Sequence, residues 1–181
     1  MGFELRKATK QDTDALAVLA VLTFPLACPP GHTAENIAEH LRRVFSFEKF
    51  VEYASSPDFD LTVATDQGTV VGFTLIDYRP SADPDVQKHL ANSRPYAELS
   101  KLYVHPDYHG AGIGLHLLER AIRDMGHREI HTAWLTVNQL NDRANAFYEK
   151  SSFTVIAAKK YLVGVVVDDD YLRVRVLGHK S

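Results

Sequence analysis

A glycine-rich segment at residues 109–114 carries the spacing in this chain that best suits an anionic ligand. Gly110, Gly112 and Gly114 follow a β-prone segment, and a helical pattern begins directly behind them. Because glycine has no Cβ, several backbone N–H groups in such a turn can converge on an anion at the positive end of the helix dipole. The spacing fits neither the dinucleotide fingerprint nor the P-loop. We therefore predict a phosphate-bearing ligand other than NAD or ATP, with a tight turn that binds nothing as the alternative.

Glu98 is the candidate general base. It lies on a strand predicted for residues 97–104, among the apolar residues Leu99 and Leu102. Apolar surroundings raise the pKa of a carboxyl group toward the range that is useful for removing a proton. The alternative is a solvated carboxylate at a strand edge, or one that binds a structural arginine.

The histidines, the acidic run and the cysteine are weaker candidates. His105, His109 and His116 surround the glycine turn, but the helix carries no histidine pair at i and i+4, so we predict no metal. We expect His109 alone to touch phosphate. The run Asp168-Asp-Asp170 lacks the EF-hand spacing and is interpreted as solvated carboxylates at a turn. Cys28 lies beside two prolines and is expected to be a packed thiol, with a nucleophile as the alternative.

The elements around the glycine turn form one parallel crossover. The strand at 97–104 stops at Pro106, a helix begins at Ile113 and ends at Gly126, and the next strand covers 130–137. A polar segment at 79–95 is interpreted as an insertion that acts either as a lid or as a long surface loop.

The remaining elements are predicted from capping residues and from alternating apolar residues. Thr9, Thr33 and Ser46 are expected to cap three helices, and Asn141 caps a fourth over 141–151. Further strands are predicted at 3–7, 59–65, 69–77, 154–163 and 170–177. This order predicts an α/β fold of the α+β type, with a mixed central sheet flanked by helices, in one domain over residues 1–181.

Two segments resemble motifs of the GNAT superfamily of N-acetyltransferases. His105–Gly114 resembles its acetyl-CoA pyrophosphate loop, Gln/Arg-x-x-Gly-x-Gly/Ala, with His109 at the leading position. Asn141–Phe153 resembles the second motif, N-x-x-A-x-x-F-Y-x-x-x-G-F, with Ser152 in place of the glycine. The resemblance covers nearly the whole chain. Within the superfamily it is closest to the bacterial PaiA-like spermidine/spermine acetyltransferases, through residues 98–104 and the long helical N-terminal part.

The resemblance implies the GNAT fold, with acetyl-CoA as cosubstrate in a cleft between the splayed parallel strands 97–104 and 130–137. It implies that Tyr148 faces CoA, where its phenol can donate a proton to the departing thiolate; Glu98, on the first of these strands, stays the candidate base on the argument given above. The implied cofactor-binding residues are Leu102, Tyr103, Val104, His109, Gly110, Ala111, Gly112, Ile113, Gly114, Leu115, Asn141, Ala144, Phe147 and Tyr148. Alternative roles remain open: Tyr148 as core filler beside Phe147, and Asn141 as a helix cap.

Composition narrows the function classes. The net charge of −3 gives no basic footprint for nucleic acid or an anionic membrane. The single cysteine suits a reducing cytoplasm. The expected activity is acetyl transfer to a primary amine, such as a polyamine or another small amine, by a monomer or homodimer. The alternatives are acetylation of proteins or peptides, and a CoA-binding regulatory module without turnover.

Overall fold

A seven-stranded mixed sheet organises the computed structural model, which describes residues 2–178. In spatial order the strands run β1-β2-β3-β4-β5-β7-β6, and the β4–β5 pair is parallel. The strands are β1 (Phe3–Lys7), β2 (Phe59–Asp66), β3 (Thr69–Asp77), β4 (Tyr96–Val104), β5 (Thr132–Asn138), β6 (Thr154–Val163) and β7 (Val166–Val176).

Within residues 2–178, six α-helices cover the two faces of the sheet. They are α1 (Thr13–Thr23), α2 (Ala34–Val44), α3 (Phe47–Ser55), α4 (Pro84–Leu90), α5 (Ile113–His127) and α6 (Asp142–Lys150). The predicted caps are present: Thr33, Ser46 and Asn141 accept hydrogen bonds from backbone N–H groups in the first turns of α2, α3 and α6. Thr9 caps a short 3-10 turn directly before α1. The α/β fold class predicted from the sequence is confirmed.

Each face of the sheet buries its own apolar cluster. On one face, Leu16 of α1 and Phe50 of α3 pack with Phe73 of β3. On the other face, Leu118 and Met125 of α5 pack with strand residues of β4 and β5. At about 25 cal/mol per Å² of buried apolar surface, these clusters supply the main stabilisation of the fold. They also hold β4 in place between the two layers.

Two irregularities in β4 shape the site. The parallel pairing with β5 ends at Glu98 and Trp134, so the rest of the β4 edge that faces β5 has no strand partner among residues 2–178. In the pairing with β3, Leu99 lies opposite Ile76 and Lys101 lies opposite Leu75, which leaves Ser100 as the extra residue of a β-bulge.

Several predicted boundaries differ from the structure by a few residues, as at β5, which begins at Thr132 instead of 130, and two differences have a clear local cause. The α5 helix continues through Gly126 to His127, because an interior glycine costs only about 1 kcal/mol and Met125 is fully buried before it. The last strand begins at Val166 instead of 170, because Gly164 with φ +60° turns the chain immediately after β6. The predicted domain limits at Met1 and Ser181 lie outside the described residues. No helix in the described part of the chain is long and apolar enough to span a bilayer.

The predicted insertion contains α4 and covers one end of the sheet. Val86 and Leu90 of α4 are buried against Tyr96, Trp134 and Leu172. The carboxylate of Asp83, which caps α4, forms an ion pair with Lys159 of β6. The segment is therefore packed on the sheet through its helix.

Candidate active site

The glycine turn adopts the backbone geometry that its sequence predicts. Gly110 and Gly112 have φ values of +86° and +82°, a region in which a Cβ is strained. Gly112 is the N-cap of α5, and a Cβ added to it would lie 3.6 Å from the His116 ring. The turn therefore leaves the N-terminal end of α5 uncovered by side chains at Gly112 and Gly114, as an anion cradle requires.

His109 and Arg143 link this turn to α6. Val104 O lies 3.0 Å from His109 Nε2, and Arg143 Nη1 lies 2.7 Å from His109 Nδ1. Because the guanidinium can only donate, Nδ1 accepts and the Nε2–H group donates to the carbonyl. Both side chains are exposed. The His109 imidazole thereby holds the Arg143 guanidinium beside the glycine turn. The positive charge of this guanidinium favours binding of a phosphate there.

A cleft of about 480 Å³ opens between β4 and α6 at this turn. The predicted cofactor-binding residues all line it except Ala111, whose N–H donates to Tyr108 O at 3.2 Å. The further lining residues include Arg143 and Lys150 of α6. We name this space the acyl cleft. Its glycine turn, its two cations and its largely apolar walls fit the pyrophosphate and pantetheine of CoA.

The second motif builds the α6 wall of the acyl cleft. Asn141 Oδ1 accepts a hydrogen bond of 3.1 Å from Ala144 N–H, so its capping role is present. Ser152, which stands where the family pattern has glycine, has φ +64°. That left-handed conformation explains why glycine is usual there. The turn brings Phe153 into the core, where its ring centroid lies 5.8 Å from that of Tyr148.

A second cavity of about 190 Å³ adjoins the acyl cleft, and we name it the acceptor cavity. Tyr148 and Tyr103 line both spaces. Three carboxyl groups and one ammonium group also line the acceptor cavity: Glu98, Asp168, Asp170 and Lys101. The two predicted catalytic side chains, Glu98 and Tyr148, therefore lie on one continuous surface.

The titratable groups of the acceptor cavity are strongly affected by burial. Desolvation raises the pKa of Glu98 to about 7, partly offset by the nearby Lys101. Burial raises the pKa of Tyr148 to about 12, so its phenol stays protonated at neutral pH. Burial, and next the charge of Asp168, raise the pKa of Asp170 to about 6. Burial raises the pKa of Cys28 to about 11, so this sulfur stays a thiol instead of a nucleophilic thiolate.

The interpretation of the run at 168–170 as solvated turn carboxylates is wrong for Asp168 and Asp170 and holds only for Asp169. Asp170 is only 5% exposed, and Asp168 accepts a 2.9 Å hydrogen bond from His32 Nε2, whose side chain is 2% exposed. The reason is the early start of β7: strand alternation turns Asp168 and Asp170 toward the cavity and leaves Asp169 exposed.

Asp77, Asp83 and Asp85 are three further acidic residues that the sequence places before β4, where they could have lined the mouth of the site. Asp77 is held by Arg79 at 2.7 Å, Asp83 pairs with Lys159, and Asp85 is exposed. None of the three lines the acceptor cavity. Among residues 2–178, no group of three histidine, cysteine or acidic side chains is arranged to hold a metal ion.

Sequence reasoning missed Arg143, Lys101, Asp168 and Asp170. Arg143 had a usable signal, because it follows the Asn141 cap by two residues in a motif that the resemblance already implies to bind the cofactor. Lys101 had no such signal in the sequence, because the bulge at Ser100 decides which side of the sheet the lysine faces.

Comparison with known proteins agrees with this geometry. The profile of the Acetyltransferase (GNAT) family matches residues 27–153. An uncharacterised N-acetyltransferase of Mycobacterium tuberculosis is 34% identical over 166 residues, covering 92% of this chain and 98% of the relative. The spermidine N(1)-acetyltransferase of Thermoplasma acidophilum is 28% identical over 159 residues, which cover 86% of this chain and 90% of that relative.

A solved structure shares the fold. The crystal structure of PaiA N-acetyltransferase from Thermoplasma acidophilum in complex with coenzyme A superposes with a TM-score of 0.78. The two chains are 23% identical, and the match covers 97% of this chain and 99% of the other.

Proposed function

The chain belongs to the GNAT acetyltransferase family, and on that premise we propose that it transfers the acetyl group of acetyl-CoA directly to a small cationic amine of the polyamine class. Acetyl-CoA is the donor cosubstrate. The acyl cleft fits it through the glycine turn at Gly112, the Arg143 guanidinium and the peptide groups on the unpaired edge of β4.

The observation that carries the choice of acceptor is the charge of the acceptor cavity. Its wall holds the carboxyl groups of Glu98, Asp168 and Asp170 against the single ammonium of Lys101. Its one histidine, His40, is neutral, because burial lowers its pKa to about 4. A net negative wall favours a protonated amine at the entrance to the reacting position. The similarity to the spermidine N(1)-acetyltransferase of Thermoplasma acidophilum supports the same acceptor class.

Three groups of this chain perform the transfer in our proposal. Glu98 takes a proton from the acceptor ammonium, directly or through one water, so that the nitrogen lone pair becomes available. Backbone N–H groups at residues 102–104, on the β4 edge that β5 leaves unpaired, donate to the acetyl oxygen as negative charge develops. The phenol of Tyr148, at the junction of the two cavities, gives its proton to the departing sulfur.

The test is thiol release from acetyl-CoA with matched acceptors. We expect cadaverine to exceed n-pentylamine in kcat/KM by roughly tenfold, because the second ammonium gains from the acidic wall while chain length is constant. Asp170→Asn should reduce that ratio and leave the rate with n-pentylamine within about twofold. Spermidine should give a higher kcat/KM than a peptide with a free N-terminus.

Two results would reject parts of the proposal. A preference for the peptide would overturn the acceptor class and leave acetyl transfer standing. Binding of acetyl-CoA without thiol release for any amine would favour a regulatory module.

A further inference from the structure

The bulge in β4 brings Lys101 to the same wall as Glu98. In a regular strand, residues three apart face opposite sides of the sheet. The extra residue Ser100 shifts the alternation by one, and Glu98 and Lys101 both line the acceptor cavity. The Lys101 side chain reaches Phe45 and Tyr53 of the apolar cluster under α1 and α3, whereas the neighbouring Leu102 packs with the cluster under α5 and also borders the cavity.

The Lys101 ammonium is held by neutral groups. Its Nζ lies 5.0 Å from the ring centroid of Phe45 and 5.1 Å from that of Tyr53, and it donates to Ser100 Oγ at 3.4 Å. The two aromatic faces stabilise the cation without neutralising it. Its charge is therefore available to other groups on the same wall.

The other cations around this pair are already matched by carboxylates. Arg79 pairs with Asp77, Lys159 pairs with Asp83, and Lys49 pairs with Glu52 at 2.8 Å. The groups that face Glu98 and Lys101 from neighbouring elements are His40 of α2, Lys49 and Tyr53 of α3, Asp77 and Arg79 at the end of β3, Lys159 and Tyr161 of β6, and Asp168 and Asp170 of β7.

We propose that Lys101 is a positioning residue whose ammonium, which has no ion-pair partner among residues 2–178, keeps the Glu98 carboxyl group ionised, and so able to accept a proton from the acceptor amine. The catalytic meaning of this pair rests on the proposed function. The electrostatic link itself does not, because it exists without any substrate.

The mutual influence has a defined direction on each partner. Burial disfavours the charged form of both groups, raising the pKa of Glu98 to about 7 and lowering that of Lys101 to about 8. Each charge partly offsets the burial of the other. Removing the cation should therefore raise the pKa of Glu98 further, and removing the carboxylate should lower that of Lys101 further.

The experiment is a 13C NMR titration of the full chain labelled at glutamate Cδ, with Glu98→Gln to assign the resonance. In Lys101→Met, whose thioether suits the space between the two rings, we expect the Glu98 midpoint to rise by about one pH unit, a tenfold fall in the ratio of ionised to protonated Glu98 at a given pH. Lys101→Arg keeps the charge and should stay within about half a unit of the wild type.

A reciprocal measurement covers the case in which Lys101→Met fails to fold. With lysine labelled at Cε, Glu98→Gln should lower the Lys101 midpoint by about one pH unit. Unchanged midpoints in these titrations would overturn the proposal, as would an equal rise in Lys101→Arg and Lys101→Met.

Activity measurements separate this inference from the proposed function. With spermidine, kcat/KM should rise with pH as Glu98 ionises. The midpoint of this rise should move to higher pH in Lys101→Met and lie near the wild-type value in Lys101→Arg. Coupled NMR midpoints without turnover of any amine would uphold the inference and reject the proposed function. Turnover of amines with NMR midpoints that do not depend on each other would uphold the proposed function and reject the inference.

Discussion

Arg143 Nη1 lies 2.7 Å from His109 Nδ1, and this contact joins α6 to the glycine turn across the mouth of the acyl cleft. Because the guanidinium reaches the turn at its anion-binding side, we expect Arg143→Gln to raise the Kd of CoA by roughly tenfold, the loss of one phosphate contact. Calorimetric titration with CoA measures this change in Kd. Arg123→Gln removes an exposed arginine from α5 away from the cleft and should leave the Kd unchanged; equal effects of both would show a general charge effect instead.

Gly112→Val should weaken CoA binding more than tenfold. The side chain would stand in the cradle, and φ +82° would strain the backbone by about 1–2 kcal/mol. Gly68→Val is the matched control, because Gly68 has the same φ of +82° in the β2–β3 turn and does not line the acyl cleft. Both variants should lose thermal stability, and only Gly112→Val should lose affinity. Intact affinity in Gly112→Val would remove the glycine turn from the binding site.

Tyr148→Phe should lower kcat by roughly 10²-fold, because the ring contacts with Phe147 and Phe153 persist and only the proton donor is lost. The Kd of acetyl-CoA should change by less than about twofold. Stopped-flow acetylation with a good acceptor separates the two effects. A wild-type rate would make Tyr148 a packing residue.

Glu98→Gln should change stability in a pH-dependent manner. Folding raises the pKa of this carboxyl group from 4.5 to about 7, so its effect on folding is neutral below pH 4.5 and unfavourable above about 7. The cost of ionising it is on the order of 3 kcal/mol. Melting curves should therefore favour Glu98→Gln over wild type at pH 8 and show little difference at pH 4.5. The same difference at both pH values would contradict a buried, ionisable Glu98.

Ser152→Gly should stabilise the protein. The exposed serine adopts φ +64°, and glycine relieves that conformation at a gain of roughly 1 kcal/mol, or about 2–4 °C in Tm for a chain of this size. Ser152→Ala retains the Cβ and should give no gain. If alanine stabilised as much as glycine, the backbone explanation would fail.

The parts of the fold set by local chemistry were predictable. Thr33, Ser46 and Asn141 cap helices because their side-chain oxygens reach nearby backbone donors, a relationship contained within four residues. The glycine turn was predictable for the same reason, since the ease with which glycine adopts a positive φ is a property of that residue type.

The acceptor cavity depended on relationships that no local pattern records. The side on which Lys101 lies is decided by the pairing of β4 with β3. The burial of Asp168 and Asp170 is decided by where β7 begins and by His32, far away in sequence. A run of three aspartates ordinarily indicates a solvated surface, and only tertiary packing reverses that expectation here.

The hydrogen bond between His32 and Asp168 spans 136 residues of sequence. During synthesis, the segments that form the acyl cleft, through Ser151, leave the ribosome before β7 does. The Asp168 and Asp170 side of the acceptor cavity is therefore completed last, when the C-terminal hairpin closes this long-range contact. All the residues that line the acyl cleft are thus synthesised before the carboxylates that complete the acceptor cavity.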